Sequence, residues 1–283
     1  MTRLFPGSPQ TICRFTDLDD ADDSEARTDD VVESLGEGEA WKALIPASVR
    51  ARFDVHNFHR AAEVLSMGYH AELNELCEAL DKFSIPRKWI TDKGGNESDI
   101  PKRFSELLRP SGWNETRIRA DLQVRRTVAG VLPVTHFNGP LKGQQKLDKD
   151  GKLRWKFDRQ EIQSSPIKDY IDGHKIDYVK NKVAFDLEWN SKDQTFDRDL
   201  FAFRTFFDCQ EIEVGVLVTR SVDLNRAIAV LGVSKKYGAS TTWMGKLLYR
   251  LKSGRSGGCP VLAFGIKSNC VDGWDDEHSQ FID

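Results

Sequence analysis

The segment from residue 174 to residue 192 constrains the fold and the chemistry of this chain more than any other. Apolar and polar residues alternate along its second half, with Val183, Phe185, Leu187 and Trp189 set between Ala184, Asp186, Glu188 and Asn190. In an extended strand this alternation places Asp186 and Glu188 on one face. Asn181-Lys182 predicts a two-residue hairpin turn, because Asn tolerates a positive φ. Such a turn places Asp177 opposite Asp186 on the neighbouring strand.

Three carboxylates on one strand pair predict a cation site. Asp177, Asp186 and Glu188 would repel one another unless a cation or protons neutralised them. Oxygen ligands favour a hard ion, so Mg²⁺ is the expected cofactor. The alternative is a solvated strand face on which the acids form ion pairs with nearby lysines, namely Lys180, Lys182 and Lys192.

Further hydrophobic patterns predict a mixed α/β sheet with helices on both faces. Apolar residues recur at helical intervals from Asp54 to about Phe83, and Trp243 to Leu251 also predicts a helix. A third helix is indicated by spacings of i, i+4, i+7 and i+11 at Phe196, Leu200, Phe203 and Phe207. Asp193 or Thr195 is the expected cap of this helix. Apolar runs predict strands at about 212–219, 227–233 and 260–266.

The spacing Asp177-x(8)-Asp186-x-Glu188 matches the metal-binding core of the PD-(D/E)XK nuclease superfamily, with Glu188 standing where Lys is more usual. The chain resembles in particular the BglII/BstYI family of type II restriction endonucleases. Five segments carry this resemblance: Phe53–Leu65, Pro166–Tyr170, Asp186–Asn190, Val214–Arg220 and Arg255–Val261. The resemblance covers about residues 53–70 and 160–266.

The resemblance implies a PD-(D/E)XK restriction-endonuclease-like fold and Mg²⁺-dependent hydrolysis of double-stranded DNA at a short palindrome, with GATC at its centre as the leading candidate. It also implies a homodimer and a cognate DNA methyltransferase in the same cell. Asp177 and Asp186 would bind Mg²⁺, and Glu188 would complete the coordination or accept a proton from water. Lys192 would stabilise the phosphate charge or would be an ordinary surface lysine. The alternatives are a non-specific or repair nuclease and a catalytically inactive DNA-binding relative.

The distribution of charge reconciles a net charge of −3 with a DNA partner. Residues 1–40 hold eleven acids and three bases, a local charge of −8, which leaves +5 for residues 41–283. We expect residues 1–40 to form a flexible acidic tail that is solubilising or that competes with nucleic acid, and residues 41–283 to form a single endonuclease domain. Two basic clusters would neutralise phosphates or would be solvated faces: Arg117, Arg119, Arg125 and Arg126, and Lys246, Arg250, Lys252 and Arg255.

The remaining features are those of a globular enzyme of 283 residues, 39% hydrophobic and 30% charged. No apolar run reaches the roughly eighteen residues that a membrane helix needs, and the N-terminus does not resemble a signal peptide, so we expect a cytoplasmic protein. The five cysteines show no C-x-x-C spacing and are expected to be reduced thiols. Residues 84–160 form the least family-like segment. We expect an insertion there that contacts DNA or a partner subunit, or a surface elaboration.

Overall fold

The computed structural model describes residues 39–92, 99–128, 143–147, 149–157, 160–163, 165–238 and 240–282. Its helices are α1 (Ala47–Arg52), α2 (Ala61–Gly68), α3 (His70–Lys82), α4 (Arg87–Thr91), α5 (Asp99–Leu108), α6 (Thr195–Asp208), α7 (Leu224–Val230) and α8 (Met244–Lys252). Its strands are β1 (Phe53–Phe58), β2 (Asn114–Arg117), β3 (Ala120–Leu122), β4 (Arg125–Val128), β5 (Gly143–Leu147), β6 (Leu153–Phe157), β7 (Gln160–Gln163), β8 (Ile167–Ile171), β9 (Lys175–Lys180), β10 (Val183–Glu188), β11 (Val214–Arg220), β12 (Val261–Ile266), β13 (Trp274–Asp275) and β14 (Gln280–Phe281).

Six strands form a mixed sheet in the order β1-β12-β11-β10-β9-β2. β10, β11 and β12 are parallel to one another, whereas β1 is antiparallel to β12 and β9 is antiparallel to both β10 and β2. The predicted α/β architecture with a mixed sheet is therefore confirmed. None of the helices in the described part of the chain is long and apolar enough to cross a membrane.

The two faces of this sheet are covered by different helices. On one face, Phe185 of β10 and Val216 of β11 belong to an apolar core that also contains buried residues of α1, α2, α3, α5 and α7. On the other face, Ala184 of β10 and Leu217 of β11 pack with α6 and α8. The polar residues of β10 therefore lie on the face that α6 covers.

A glycine in β11 allows α6 to approach the sheet closely. Phe203 of α6 is fully buried, and its ring lies where a Cβ on Gly215 would be. Any larger residue at position 215 would push α6 away from the sheet. This contact matters for the site, because the first two turns of α6 lie beside the acidic strand β10.

The predicted hairpin between β9 and β10 is confirmed. Lys180 pairs with Val183, and Asn181 adopts a positive φ of 52° in the two-residue turn. Tyr178 is the partner of Phe185 in this ladder, so Asp177 and Asp186 are the next residues along the two strands.

Two of the predicted elements are wrong. The strand predicted at 227–233 is largely helix α7, in which Leu224, Ala227 and Ile228 are buried at helical spacing. The helix predicted from Asp54 begins only at α2, because residues 53–58 form β1 and pair with β12. Short apolar runs do not distinguish a buried strand from a buried helix, and the pairing partner decides.

The acidic tail predicted for residues 1–40 lies outside the described residues, except for Glu39 and Ala40. These two residues begin a 3-10 helix that runs from Glu39 to Leu44 and buries Trp41. The folded part of the chain therefore includes the last two positions that we assigned to the tail.

The segment 84–160 is not a surface elaboration throughout. Phe104 of α5 and Trp113 are fully buried in the main core, and β2 is the edge strand of the main sheet. Beyond β2, the described strands form two-stranded ladders that pair β3 with β8, β4 with β7 and β5 with β6. Because α5 and Trp113 belong to the main core and β2 to the main sheet, an insertion within 84–160 is confined to the part after β2.

Candidate active site

The acidic residues of β9 and β10 meet beneath α6. Asp186 and Glu188 are buried, with 4% and 6% of their surface exposed, whereas Asp177 is open to solvent. The backbone N–H of Asp177 donates a hydrogen bond of 2.7 Å to Oδ1 of Asp186. Oδ2 of Asp186 is buried and accepts no hydrogen bond from the described residues. A buried carboxylate oxygen without a donor is costly unless a proton or a cation binds there.

Helix α6 brings three further residues to this site, none of which we predicted from the sequence. The hydroxyl of Thr195 donates to Oε2 of Glu188 at 2.9 Å. Nη2 of Arg198 lies 3.3 Å from Oε1 of Glu188 and 2.9 Å from Oδ1 of Asp199. Asp199 is only 3% exposed, and its Oδ2 accepts no hydrogen bond from any described residue. The site therefore contains four acids and one closely bound arginine.

Thr195 does not cap α6, contrary to our expectation, and Asp193 does not do so either. The helix begins after Gln194, and no side chain caps it. Asp193 accepts a bond from Arg250 instead. The hydroxyl of Thr195 lies 2.9 Å from Oε2 of Glu188 and 2.8 Å from the carbonyl oxygen of Lys192, so it links the start of α6 to Glu188.

The acids of the site raise one another's pKa. Burial raises the pKa of Asp186 well above its ordinary value, and the negative charges of Asp199 and Asp177 raise it further. Burial and the charge of Glu188 raise the pKa of Asp199 to about 8, although Arg198 opposes this rise. Although solvent reaches Asp177, partial burial of its carboxyl and the charge of Glu188 likewise raise its pKa. At neutral pH the cluster therefore retains protons that a divalent cation would displace.

These acids offer the oxygen ligands that Mg²⁺ prefers. Asp177 and Asp186 lie on neighbouring strands, and the buried Oδ2 of Asp186 has no hydrogen-bond donor among the described residues. In the described part of the chain, no three His, Cys, Asp or Glu side chains are grouped as the ligands of one ion. Both oxygens of Glu188 already contact Thr195 and Arg198. The donor set therefore fits a divalent cation at Asp177 and Asp186, with Glu188 held beside them.

Lys192 does not join the acids. Its predicted position required a regular strand beyond Glu188, but β10 ends at Glu188, and Lys192 forms an isolated bridge with Thr241. Lys192 is exposed to solvent, and no described acid forms an ion pair with it. The positive charge at the site comes from Arg198 instead.

The structure divides the second basic cluster, because Arg250 is buried whereas the other three residues are at least partly exposed. Arg250 is buried and bonds to Asp197 at 3.1 Å and to Asp193 at 3.4 Å, so it fastens α8 to the start of α6. Arg255 is exposed but also pairs with Asp197. Lys246 is half-buried and Lys252 is exposed.

The first basic cluster lies at the sheet edge and on the adjoining ladders. Arg117 on β2 and Arg119 both contact Asp172, and Arg119 keeps 61% of its side chain exposed. Arg125 and Arg126 begin β4, opposite β7. Arg125 is exposed, whereas the side chain of Arg126 lies outside the described part of the structure.

The comparison with known families agrees with the site. The family model of BglII/BglIII restriction endonucleases matches residues 53–266, which is most of the chain. This chain belongs to the BglII/BglIII restriction endonuclease family. Its broad class is therefore that of a nuclease acting on DNA. The match has the same two ends as the predicted resemblance and also includes residues 71–159, for which the sequence had shown no likeness. No curated protein shows a significant match to the chain.

The raised pKa of Asp199 gives a prediction for stability. Asp199→Asn should gain free energy of unfolding relative to the wild type as the pH rises from about 4 to about 8. In this range the folded wild type holds a proton on Asp199 that the unfolded chain has released, because the pKa is about 8 in the folded state. The wild type therefore loses stability with rising pH through this group, and the Asn variant does not.

Urea unfolding of metal-free protein at several pH values measures this difference. Asp208→Asn, at the exposed end of the same helix, is the matched control and should show no such trend. A constant difference between Asp199→Asn and the wild type across the range would contradict the raised pKa of Asp199.

Proposed function

We propose that this chain is a type II restriction endonuclease that hydrolyses double-stranded DNA at a short palindromic site with Mg²⁺ as cofactor. The observation that carries the proposal is the meeting of Asp177 with the buried Asp186, one of whose oxygens has no donor among the described residues. A solvated strand face, the alternative from the sequence, would not bury this acid. Lys180 forms its ion pair with Glu75 of α3, and not with the acidic cluster.

The roles of the acids follow from their positions. Asp177 and Asp186 would hold Mg²⁺, which when bound polarises the scissile phosphate and lowers the pKa of a water molecule. Glu188 is oriented by the hydroxyl of Thr195, so its carboxylate is positioned to accept a proton from an attacking water. α6 excludes bulk water from one side of these acids, which strengthens their electrostatic interactions.

DNA would be held by basic residues of the two predicted clusters. From the first cluster these are Arg117, Arg119, Arg125 and Arg126, and from the second Lys246, Lys252 and Arg255. Each is positioned on an edge strand, a ladder or the region of α8, and would neutralise backbone phosphates. The loops around 109–126 and 238–258 would carry the residues that read bases. Arg250 is excluded from this set because it is buried.

The palindromic DNA target that we propose corresponds to a homodimeric enzyme with two-fold symmetry. A homodimer with a two-fold axis presents one active site to each strand, so it would cut both strands of a palindrome at equivalent phosphates. Our leading target is a hexamer centred on GATC, cut to leave four-base 5′ overhangs. A cognate DNA methyltransferase would protect the same sites in the host cytoplasm.

Incubating the pure protein with plasmid DNA and Mg²⁺ tests this function. We expect discrete fragments, and run-off sequencing of the ends should show the same offset on both strands. A smear would indicate a non-specific or repair nuclease, and unchanged plasmid would indicate an inactive DNA-binding relative. A stable monomer on DNA, or staggered cuts at non-palindromic positions, would contradict the two-fold arrangement even if Mg²⁺ proved necessary.

A further inference from the structure

Arg198 pairs with two buried acids, Glu188 and Asp199, and no other basic side chain in the described part of the structure pairs with either of them. Its Nε and Nη2 donate to Oδ1 of Asp199 at 3.0 and 2.9 Å, and Nη2 also reaches Oε1 of Glu188 at 3.3 Å. These bonds occupy one edge of the guanidinium group. No described residue accepts a hydrogen bond from Nη1, and 67% of the side chain is exposed. One edge of Arg198 is therefore fixed by the acids, while the other faces solvent beside them.

The active-site strand itself carries no cation near the acids. β10 contains no Lys or Arg, and Lys192, the next cation along the chain, is directed elsewhere by the end of β10. Hydrolysis of a phosphodiester concentrates negative charge on the phosphate oxygens in the transition state, and a preorganised cation nearby lowers the barrier. An Arg guanidinium is well suited to this task, because its planar fork can donate two hydrogen bonds to one phosphate.

We propose that Arg198 is a catalytic residue that binds the scissile phosphate and stabilises its charge in the transition state. Glu188 and Asp199 hold the guanidinium in place by its inner edge, and the exposed edge with Nη1 contacts the phosphate. Helix α6 thereby supplies the cation that β10 lacks. This inference rests on the proposed nuclease function, since it assigns a further residue to the same site.

Two contacts fix the position of α6, and therefore of Arg198, against the rest of the fold. Gly215 allows Phe203 to pack against the sheet, and Arg250 ties Asp197 in the first turn of α6 to α8. These contacts lie on both sides of Arg198 in the sequence. A side chain that stabilises a transition state must be held in position before the reaction, because reorganisation during the reaction would cost much of its benefit.

Three variants test the proposal. R198Q removes the charge, R198K keeps the charge without the planar fork, and R204Q removes a charge from the same helix at an exposed position where the described pairing is with Asp208. For each variant we would measure the single-turnover rate of plasmid cleavage with saturating protein and Mg²⁺. Mg²⁺ binding to the DNA-free protein would be measured by calorimetry, and folding by circular dichroism.

R198Q should lower the cleavage rate by about 10²- to 10³-fold, which is typical of the loss of one preorganised donor. Its affinity for Mg²⁺ should be as high as that of the wild type or higher, because Arg198 is a positive charge beside the metal-binding acids. R198K should restore part of the lost rate, and R204Q should behave as the wild type. If R198Q does not fold, R198M, which keeps the aliphatic stem, carries the same expectation.

Two results would overturn the assignment. A wild-type cleavage rate in R198Q shows that no contact of Arg198 with the phosphate matters. A parallel loss of Mg²⁺ affinity and rate shows that Arg198 only holds Glu188 and Asp199 in place. Either result leaves the nuclease function standing if the wild type cleaves DNA. A wild-type protein that neither binds nor cleaves DNA refutes the nuclease function itself, and the role of Arg198 with it.

Discussion

Replacing Asp186 with Asn is expected to abolish DNA cleavage, with a loss of about 10³-fold or more in the single-turnover rate, or about 4 kcal/mol of transition-state stabilisation. Asn keeps the shape of Asp and an oxygen for the N–H of Asp177, so the hairpin should remain intact. It removes the negative charge that a Mg²⁺ ligand needs. DNA affinity should be nearly unchanged, because the metal acts chiefly in the transition state.

The comparison with Asp208→Asn separates this effect from a general loss of negative charge. Asp208 ends α6, is 60% exposed and pairs with Arg204, so its replacement should leave cleavage at the wild-type rate. Asp177→Ala should be as damaging as Asp186→Asn, and Glu188→Ala nearly so. Lys192→Ala should cost less, since Lys192 lies away from the acids. Substantial cleavage by Asp186→Asn in Mg²⁺ would contradict the assignment of the metal site.

The acidic hairpin could be predicted from the sequence because every signal for it is local. The alternation of residues 183–190 fixes which side chains share a face, and Asn181 supplies the positive φ that the turn needs. Together they define the register of β9 and β10, and hence the meeting of Asp177 with Asp186. The family resemblance rested on the same residues, and the family match confirms it.

The contribution of α6 could not be predicted in the same way. Its apolar spacing identified the buried face, but the distance of that face from β10 depends on Gly215, which is distant in the sequence. Asp199 follows Phe196 by three positions and lies beside the core-facing residues. A carboxylate at that place on an amphipathic helix was a signal for a buried acid, although nothing local identified its partners. Arg198 is adjacent to it and was overlooked for the same reason.

The first part of the segment 84–160 was misjudged because its packing partners are remote. Phe104 of α5 stacks on Phe83 with ring centroids 4.4 Å apart, and lies 5.5 Å from the ring of Phe185. Phe185 is the neighbour of Asp186 on β10 and points to the opposite face of the sheet. The segment that looked least like the family therefore supports the back of β10, the strand that carries Asp186 and Glu188.

Phe104→Ala should lower the free energy of unfolding by about 3–5 kcal/mol, as expected for a fully buried aromatic residue. Phe104 is 0% exposed, so its loss leaves a cavity between α5 and the sheet, and the effect would be a large part of the roughly 5–15 kcal/mol that stabilises a typical domain. Urea unfolding monitored by tryptophan fluorescence measures this. Phe201→Ala, at a half-exposed position of α6, is the control and should cost far less, because a surface substitution removes little buried area. If the two variants lost similar stability, α5 would not be part of the core, and the whole of 84–160 would again be a candidate for an insertion.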